Sequence, residues 1–370
     1  MKKQIYHLGL FLLLAGCAEP VSEIPTINVE IKSSPVLEEI SVESLGGAVE
    51  MIPLETSDSC LLSKVEQLVD QDFLWIVADK QIYKFGKDGK FIRKIGKVGQ
   101  GPEEYVAPQQ IWVDEKGKRL FVLDYFGRKT LILDYEGNVL KSFGLPQDYS
   151  LNKIAFVDKE LLYTSMNNSV KPDLFVCNLE TQQIDTLSYR ERIMGTEGFL
   201  GNTYIYPLKD KTYLYHYFND TVYTYSNKKL TPAYVFNLNG YKYQFEELEI
   251  VADYTPKKPI DGPRIQLSNF VELENFLFVP YTVAVPRRKL DEADARLLIY
   301  DKRNKTLYAD AQLVCTQAPA LNLKKSDPLI LSTDQKSFYT YKQAEDLADE
   351  NLIEGLDPDD NPVLVKYSFQ

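Results

Sequence analysis

The chain has 370 residues, 44% of them hydrophobic, with 42 basic against 53 acidic side chains for a formal net charge of -11. So much apolar material supports a buried core, in one large domain or two to three ordinary ones. The acidic balance, with no Lys/Arg-rich run to offset it, argues against a nucleic-acid partner.

The N-terminus, MKKQIYHLGLFLLLAGC, has a basic start (Lys2, Lys3), an apolar stretch from Leu8 to Leu14, and small residues before Cys17. That order reads as a secretory signal peptide, and the apolar run is too short to span a bilayer as a permanent helix. Leu14-Ala15-Gly16-Cys17 resembles the bacterial lipobox. The resemblance implies cleavage before Cys17 and acyl chains on its thiol and new amino terminus. Several chains make a stable anchor where one would be marginal. Residues 17–45, with Pro20, Pro25 and Pro35, then read as a tether that lifts a globular body at 46–370 off the membrane.

Tyrosine is abundant in that body, 25 residues against 4 methionines and 2 tryptophans, which favours strands. Short runs of Val, Ile, Leu, Tyr and Phe recur, broken by Asp-Gly, Asn-Gly, Asn-Asp or Lys-rich turns. A repeat is visible: IVADKQIYKFGKDGKFIRKIG at 76–96 aligns with FVLDYFGRKTLILDYEGNVLKSFG at 121–144, pairing Gly89 with Gly137 and Asp79 with Asp124. Each copy supplies three strands, and QQIWVDEKGKRLFVLD adds a fourth ahead of the second copy. Four antiparallel strands repeating every roughly 40–50 residues are the signature of a propeller blade. Weaker units follow: IAFVDKELLYTSM with DLFVCNLETQQIDTLSY, then a run turned by Asn219-Asp220, then a fifth unit split by a charged insert at 286–295. A sixth opens at LILSTDQKSFYTYK, is interrupted by a helix-like stretch over 342–356, and ends in NPVLVKYSFQ.

The fold class is therefore an all-β, six-bladed β-propeller with four-stranded antiparallel blades; seven blades is the alternative. The last unit has about three strands, and AVEMIPLE at 48–55 stands alone before the first. Pairing this N-terminal strand into the last blade, with about 329–370, leaves no open sheet edge at the junction.

The second unit looks like an NHL-type repeat. IPLET, GKVGQGPEEY, FNDTVY and NPVLVKYSF, in that order, are similar to the six-bladed β-propeller lipoproteins of Gram-negative gut-type bacteria, over roughly residues 48–370. That family is largely of unknown function, so the resemblance implies a fold and an address at the cell envelope, with the outer membrane expected, and no established active site.

Candidate chemistry is sparse. Gly96, Gly99 and Gly101 have the order G-x-x-G-x-G, Pro102 follows, and the next element is strand-like QQIWV. Phosphate cradles need a helix N-terminus behind the glycines, so no nucleotide is expected. The stretch reads as a connector between the outer strand of one blade and the inner strand of the next, with Gln100, Glu103, Glu104 and Tyr105 carried to a propeller face. With Tyr125 and Arg128 they form the candidate ligand-binding set. Tyr206, Trp112, Tyr215 and Tyr217 are further aromatics able to stack on sugars, or simply to pack between blades. His216 is the one histidine left after the signal, and reads as a packed strand residue. No zinc ligand set is spaced closely enough. Asp79 and Asp124 end equivalent strands and read either as turn caps or as ligands of a channel calcium; calcium is the one cofactor to weigh, and no other is expected. DPDDNP at 357–362 reads as a turn. Cys177 reads as a small core residue, and whether Cys60 and Cys315 pair stays open.

Two functions follow. The first is a lipid-anchored binding or scaffold module, serving an outer-membrane protein assembly or capturing a glycan or peptide, with no catalytic constellation. The second is a propeller hydrolase or lyase with an acidic, calcium-binding channel.

Overall fold

The computed structural model describes residues 24–29, 38–145, 151–165, 174–187, 203–209, 211–216, 219–248, 258–268, 270–284 and 295–370. Cys17, Tyr217, Arg287, Arg288 and Lys289 lie outside them. The N-terminal arm carries β1 (Thr26–Asn28) and β2 (Glu38–Ser41), and β3 (Gly47–Pro53) follows. Blade one is β4 (Gln67–Asp70), β5 (Leu74–Ala78), β6 (Gln81–Phe85) and β7 (Phe91–Ile95). Blade two is β8 (Gln110–Asp114), β9 (Arg119–Asp124), β10 (Lys129–Asp134) and β11 (Val139–Gly144). Blade three is β12 (Leu151–Val157), β13 (Glu160–Ser165), β14 (Leu174–Asn178) and β15 (Ile184–Leu187). Blade four is β16 (Thr203–Leu208), β17 (Lys211–His216), β18 (Thr221–Ser226) and β19 (Lys229–Asn237).

In blade five the inner strand is broken into β20 (Arg264–Leu267) and β21 (Val271–Glu272), both paired to β22 (Phe276–Ala284), which is followed by β23 (Ala295–Asp301) and β24 (Thr306–Tyr308). The chain then forms β25 (Ala311–Val314). Blade six is β26 (Ile330–Leu331), β27 (Ser337–Lys342), β28 (Val363–Phe369) and, outermost, β3. This is a six-bladed propeller, closed as expected: Gly47 to Pro53 pair antiparallel with Phe369 to Val363. The stretch over 342–356 is not an α-helix but two short 3-10 turns, Ala344–Asp346 and Ala348–Glu350.

Burial explains the strand sequences. The middle strands are covered on both faces by neighbouring blades and read as continuous apolar runs, with Leu74 to Ala78 all buried. Outer strands alternate, as in Val139–Gly144. The core is a set of clusters between blades: Trp75, Ile95, Leu120 and Leu131 join blades one and two, and Tyr215, Phe236, Tyr281 and Leu298 join four and five. Inner strands are also clipped together by glutamines in their first positions. Gln67 makes a two-way amide bond with the Ile111 backbone, both at 2.9 Å, and Gln110 accepts from the Ile154 amide at 2.8 Å. Ring closure is reinforced by buried Asp70, which accepts from the Ser332 hydroxyl of blade six and pairs with Lys87.

The glycine repeat has a packing cause. Gly89 and Gly137 both have positive φ, +81° and +92°. A Cβ on Gly89 would collide with the Pro53 carbonyl oxygen, and one on Gly137 would lie 2.6 Å from the Gly96 nitrogen. Each third-to-fourth-strand turn thus docks on the end of the preceding blade's outer strand.

The segment expected to be a free tether differs from that reading. Residues 24–29 and 38–45 are folded onto the ring. β1 pairs parallel with β19 on the rim of blade four, and β2 pairs parallel with β25 beside blade five. Val29, Val42 and Leu45 are buried there. An edge strand offers unpaired amides and carbonyls, and the arm satisfies them on these two blades. Cys60, Cys177 and Cys315 are buried free thiols, which answers the open pairing question.

Candidate functional site

The ring has two unlike faces. Turns between first and second and between third and fourth strands are short, such as 71–73, 115–118 and 227–228. Connections between second and third strands and between blades gather on the other face, and include the long stretches 54–66, 96–109, 309–329 and 343–362. All six described residues of the candidate set fall on this long-loop face.

The connector 96–109 is folded on itself. The Gly99 amide donates to the Tyr105 carbonyl and the Tyr105 amide to the Lys97 carbonyl, each at 2.9 Å. Gly96 has φ +69°, and a Cβ there would lie 2.7 Å from the Tyr105 ring. Tyr105 is fully buried: its hydroxyl donates to the Ile95 carbonyl at 2.6 Å and accepts from Gln81 Nε2 at 2.7 Å. Burial pushes its phenol well above the usual tyrosine range. It is the post around which the connector is wound and has no surface for a ligand, which corrects its placement in the binding set. Glu104 is half-buried and turned inward, its Oε2 accepting the Gly101 amide at 2.9 Å. Gln100 and Glu103 are exposed.

The loop is fastened to blade two by residues beyond it. Lys129 Nζ donates to the Gly101 carbonyl at 2.6 Å. Asp124 accepts from the Val106 and Ala107 amides at 3.0 and 3.3 Å and from the Gly127 amide at 3.0 Å. Asp79, its repeat partner, accepts from the Ser63 amide at 2.9 Å and from the Ser63 hydroxyl. Each strand-end aspartate therefore fastens the incoming inter-blade connection. Among the described residues, no three His, Cys, Asp or Glu side chains gather as a metal site.

What remains at the surface is the turn 125–128. Tyr125 is half-buried, Arg128 is exposed with its guanidinium 5.9 Å from the Tyr125 ring, and Phe126 packs edge-on to Tyr125 with centroids 5.6 Å apart. Phe126 is 67% exposed. The neighbouring connections add exposed Val98 and Leu61 on the same face. The turn thus sets an exposed aromatic beside a cation on the long-loop face.

Sequence reading missed Phe126, although an apolar residue in a Tyr-Phe-Gly-Arg turn between two strands was the signal for it. It also missed Asn361, in the stretch read as a turn. Asn361 is buried and clamps the 54–66 connection, accepting the Leu62 amide at 2.7 Å and donating to the Glu55 and Cys60 carbonyls at 2.7 and 2.5 Å. Lys84 is a third. Its ammonium sits between blades one and two, 4.0 Å from the Phe73 centroid and 3.2 Å from the Tyr135 carbonyl, and burial lowers its pKa. Of the other aromatics, Tyr206 and Tyr215 are buried between blades four and five. Tyr206 and Tyr234 both donate to Glu272 Oε2, at 3.0 and 2.9 Å. His216 is buried opposite Thr203 in blade four. No helix among the described residues is long and apolar enough to cross a membrane.

The fold and this face define a six-bladed β-propeller with one plain face and one face of long, fastened loops. Its residues 24–368 match the family described as Domain of unknown function (DUF4934), and the chain belongs to that family. A protein of Bacteroides fragilis NCTC 9343 named as exported aligns with 94% of this chain and 99% of its own, at 18% identity and a TM-score of 0.66. A member of the DUF4221 family from Bacteroides vulgatus aligns with 87% of this chain and 96% of its own, at 10% identity and a TM-score of 0.52. At these identities the likeness is one of fold. No curated protein matches the chain in sequence.

Proposed function

We propose that this protein is a lipid-anchored binding module of the cell envelope, held through Cys17 at the outer membrane, which presents its long-loop face to a protein partner. The observation that carries the reading is the exposed Phe126 beside Tyr125 and Arg128, set on a turn whose surroundings are fastened by Asp124 and Lys129. The backbone around the patch is already fastened by hydrogen bonds, which lowers the conformational entropy lost on docking. Exposed Leu61 and Val98 favour a protein over a glycan on this face. The signal peptide and the lipobox-like Leu14-Ala15-Gly16-Cys17 support the address, as does the exported character given to the B. fragilis protein.

The test is affinity capture of the tagged full chain from detergent-solubilised membranes, followed by mass spectrometry. The expected result is one stoichiometric envelope protein, lost when Phe126 and Arg128 are replaced. Recovery of the protein alone, or of the same partner with both replaced, counts against the reading.

A further inference from the structure

A cavity of about 140 Å³ opens between blade five and the connection to blade six. Its origin is a break in the outer strand. β24 pairs with β23 from Thr306 to Tyr308 and no further, and after Ala309-Asp310 β25 pairs with β2 instead. The gap this leaves is lined by Pro280 and Leu297 from the blade, Ala311 and Leu313 from β25, and Leu323 and Leu329 from the connection.

One part of the lining is charged, with Arg296, Lys324, Lys325 and Asp327. The acids nearby are already engaged. Asp327 is held by Lys342 at 2.6 Å. Asp310 Oδ1 accepts from Arg296 Nη1 at 3.0 Å and from the Tyr281 hydroxyl at 2.7 Å. Lys324 reaches Asp346 only at 3.8 Å, in an exposed pair worth little. Lys325 is exposed, and no ion pair engages it among the described residues. The lining therefore carries surplus positive charge. Arg296 Nε is also a buried donor with no hydrogen-bond partner, which costs stability unless an acceptor completes it; Asp310 Oδ2, equally unpartnered, takes only a donor and lies outside the lining.

We propose that this cavity binds a small organic acid with an apolar, ring-sized body. The body lies against Leu297, Leu313 and Leu329, and the carboxylate meets Lys324 and Lys325, with Arg296 beside them. The size fits, because an engineered apolar cavity of about 150 Å³ accepts benzene. A neutral ring leaves the cations unanswered, and an inorganic anion leaves the apolar walls unfilled.

The test is titration of the purified protein with benzoate, followed by calorimetry or ligand-observed NMR, beside benzyl alcohol and inorganic phosphate. Benzoate is expected to bind at least about tenfold more tightly than either control. Replacing both Lys324→Ala and Lys325→Ala should weaken benzoate about tenfold and leave the unfolding midpoint unchanged, since neither lysine is buried. Leu329→Trp, which fills the cavity, should abolish binding; if that variant fails to fold, the lysine variant still decides. Equal binding of benzyl alcohol or phosphate overturns the proposal. So does benzoate binding that the lysine replacements leave unchanged, or no benzoate binding at about 10 mM.

Discussion

The Tyr105 hydroxyl donates a 2.6 Å hydrogen bond to the carbonyl of Ile95, ten residues earlier, at the end of blade one's outer strand. The bond closes the connector 96–109 into a compact loop. Tyr105→Phe keeps the ring and removes the donor. It leaves the Ile95 carbonyl and Gln81 amide without that partner, and should cost about 1–3 kcal/mol. The check is urea unfolding, where the midpoint should fall with no change in slope.

Glycine at 89 and 137 is required by neighbours as well as by φ. Gly46 also has positive φ, +77°, but nothing lies within 4 Å of a Cβ placed there. Gly46→Ala should therefore cost only the backbone penalty, about 1 kcal/mol. Gly89→Ala and Gly137→Ala add a collision with backbone and should cost clearly more than about 1 kcal/mol. Thermal unfolding of the three variants separates strain from collision.

Glu247 is buried and receives a two-pronged contact from Arg264, with Nε at 2.8 Å. The Arg264 hydrogen bonds hold its carboxyl below the usual carboxylate range. The folded state thus binds this proton less readily than the unfolded chain. The pair's contribution is present near neutrality and is lost as pH falls below about 4.5. Glu247→Gln should lower stability at neutral pH by about 3 kcal/mol and flatten the acid limb of the stability profile. Unfolding midpoints measured from about pH 6 to about pH 3 provide the check.

Phe126 and Arg128 are exposed, so replacing them should leave the fold nearly intact, within about 0.5 kcal/mol. Phe126→Ser should nonetheless weaken capture of a partner at least about tenfold, as loss of a central aromatic anchor does. Arg128→Ala should act mainly on the association rate and its salt dependence. Surface plasmon resonance against the captured partner reads both.

Cys17→Ala should move the protein from the membrane to the soluble fraction, because the acyl chains have no other attachment. Fractionation with carbonate washing checks this. Continued membrane retention refutes the anchor.

Much of the ring was legible in the chain. The spacing of Gly89 and Gly137 marks two blades, because the preceding blade's backbone sits where each side chain would be. The lone strand before blade one announces the closure found between β3 and β28. The site was legible only in part. Gln100, Glu103, Tyr125 and Arg128 do reach the long-loop face, and local pattern puts them there through turn positions. Whether a loop side chain turns out or in depends on partners elsewhere, and so Tyr105 and Glu104 went astray. Tyr105 is drawn inward by Ile95 and Gln81, and Glu104 by the Gly101 amide.

The sequence by itself determined the propeller class, the antiparallel strand pattern and the closing strand, and the assembled ring decided for six blades over seven. The class, the pattern and the closing strand follow from period-two burial, turn residues and the need to leave no edge, all of which are written locally. Only the tertiary structure decided the fate of the arm and the cavity beside it. Residues 26–28 and 38–41 are short, polar and close to prolines, and nothing in them names β19 or β25 as partners. Those pairings arise because the rim of blade four and the displaced outer strand of blade five present unsatisfied backbone groups. Which edge is left open is a property of the assembled ring.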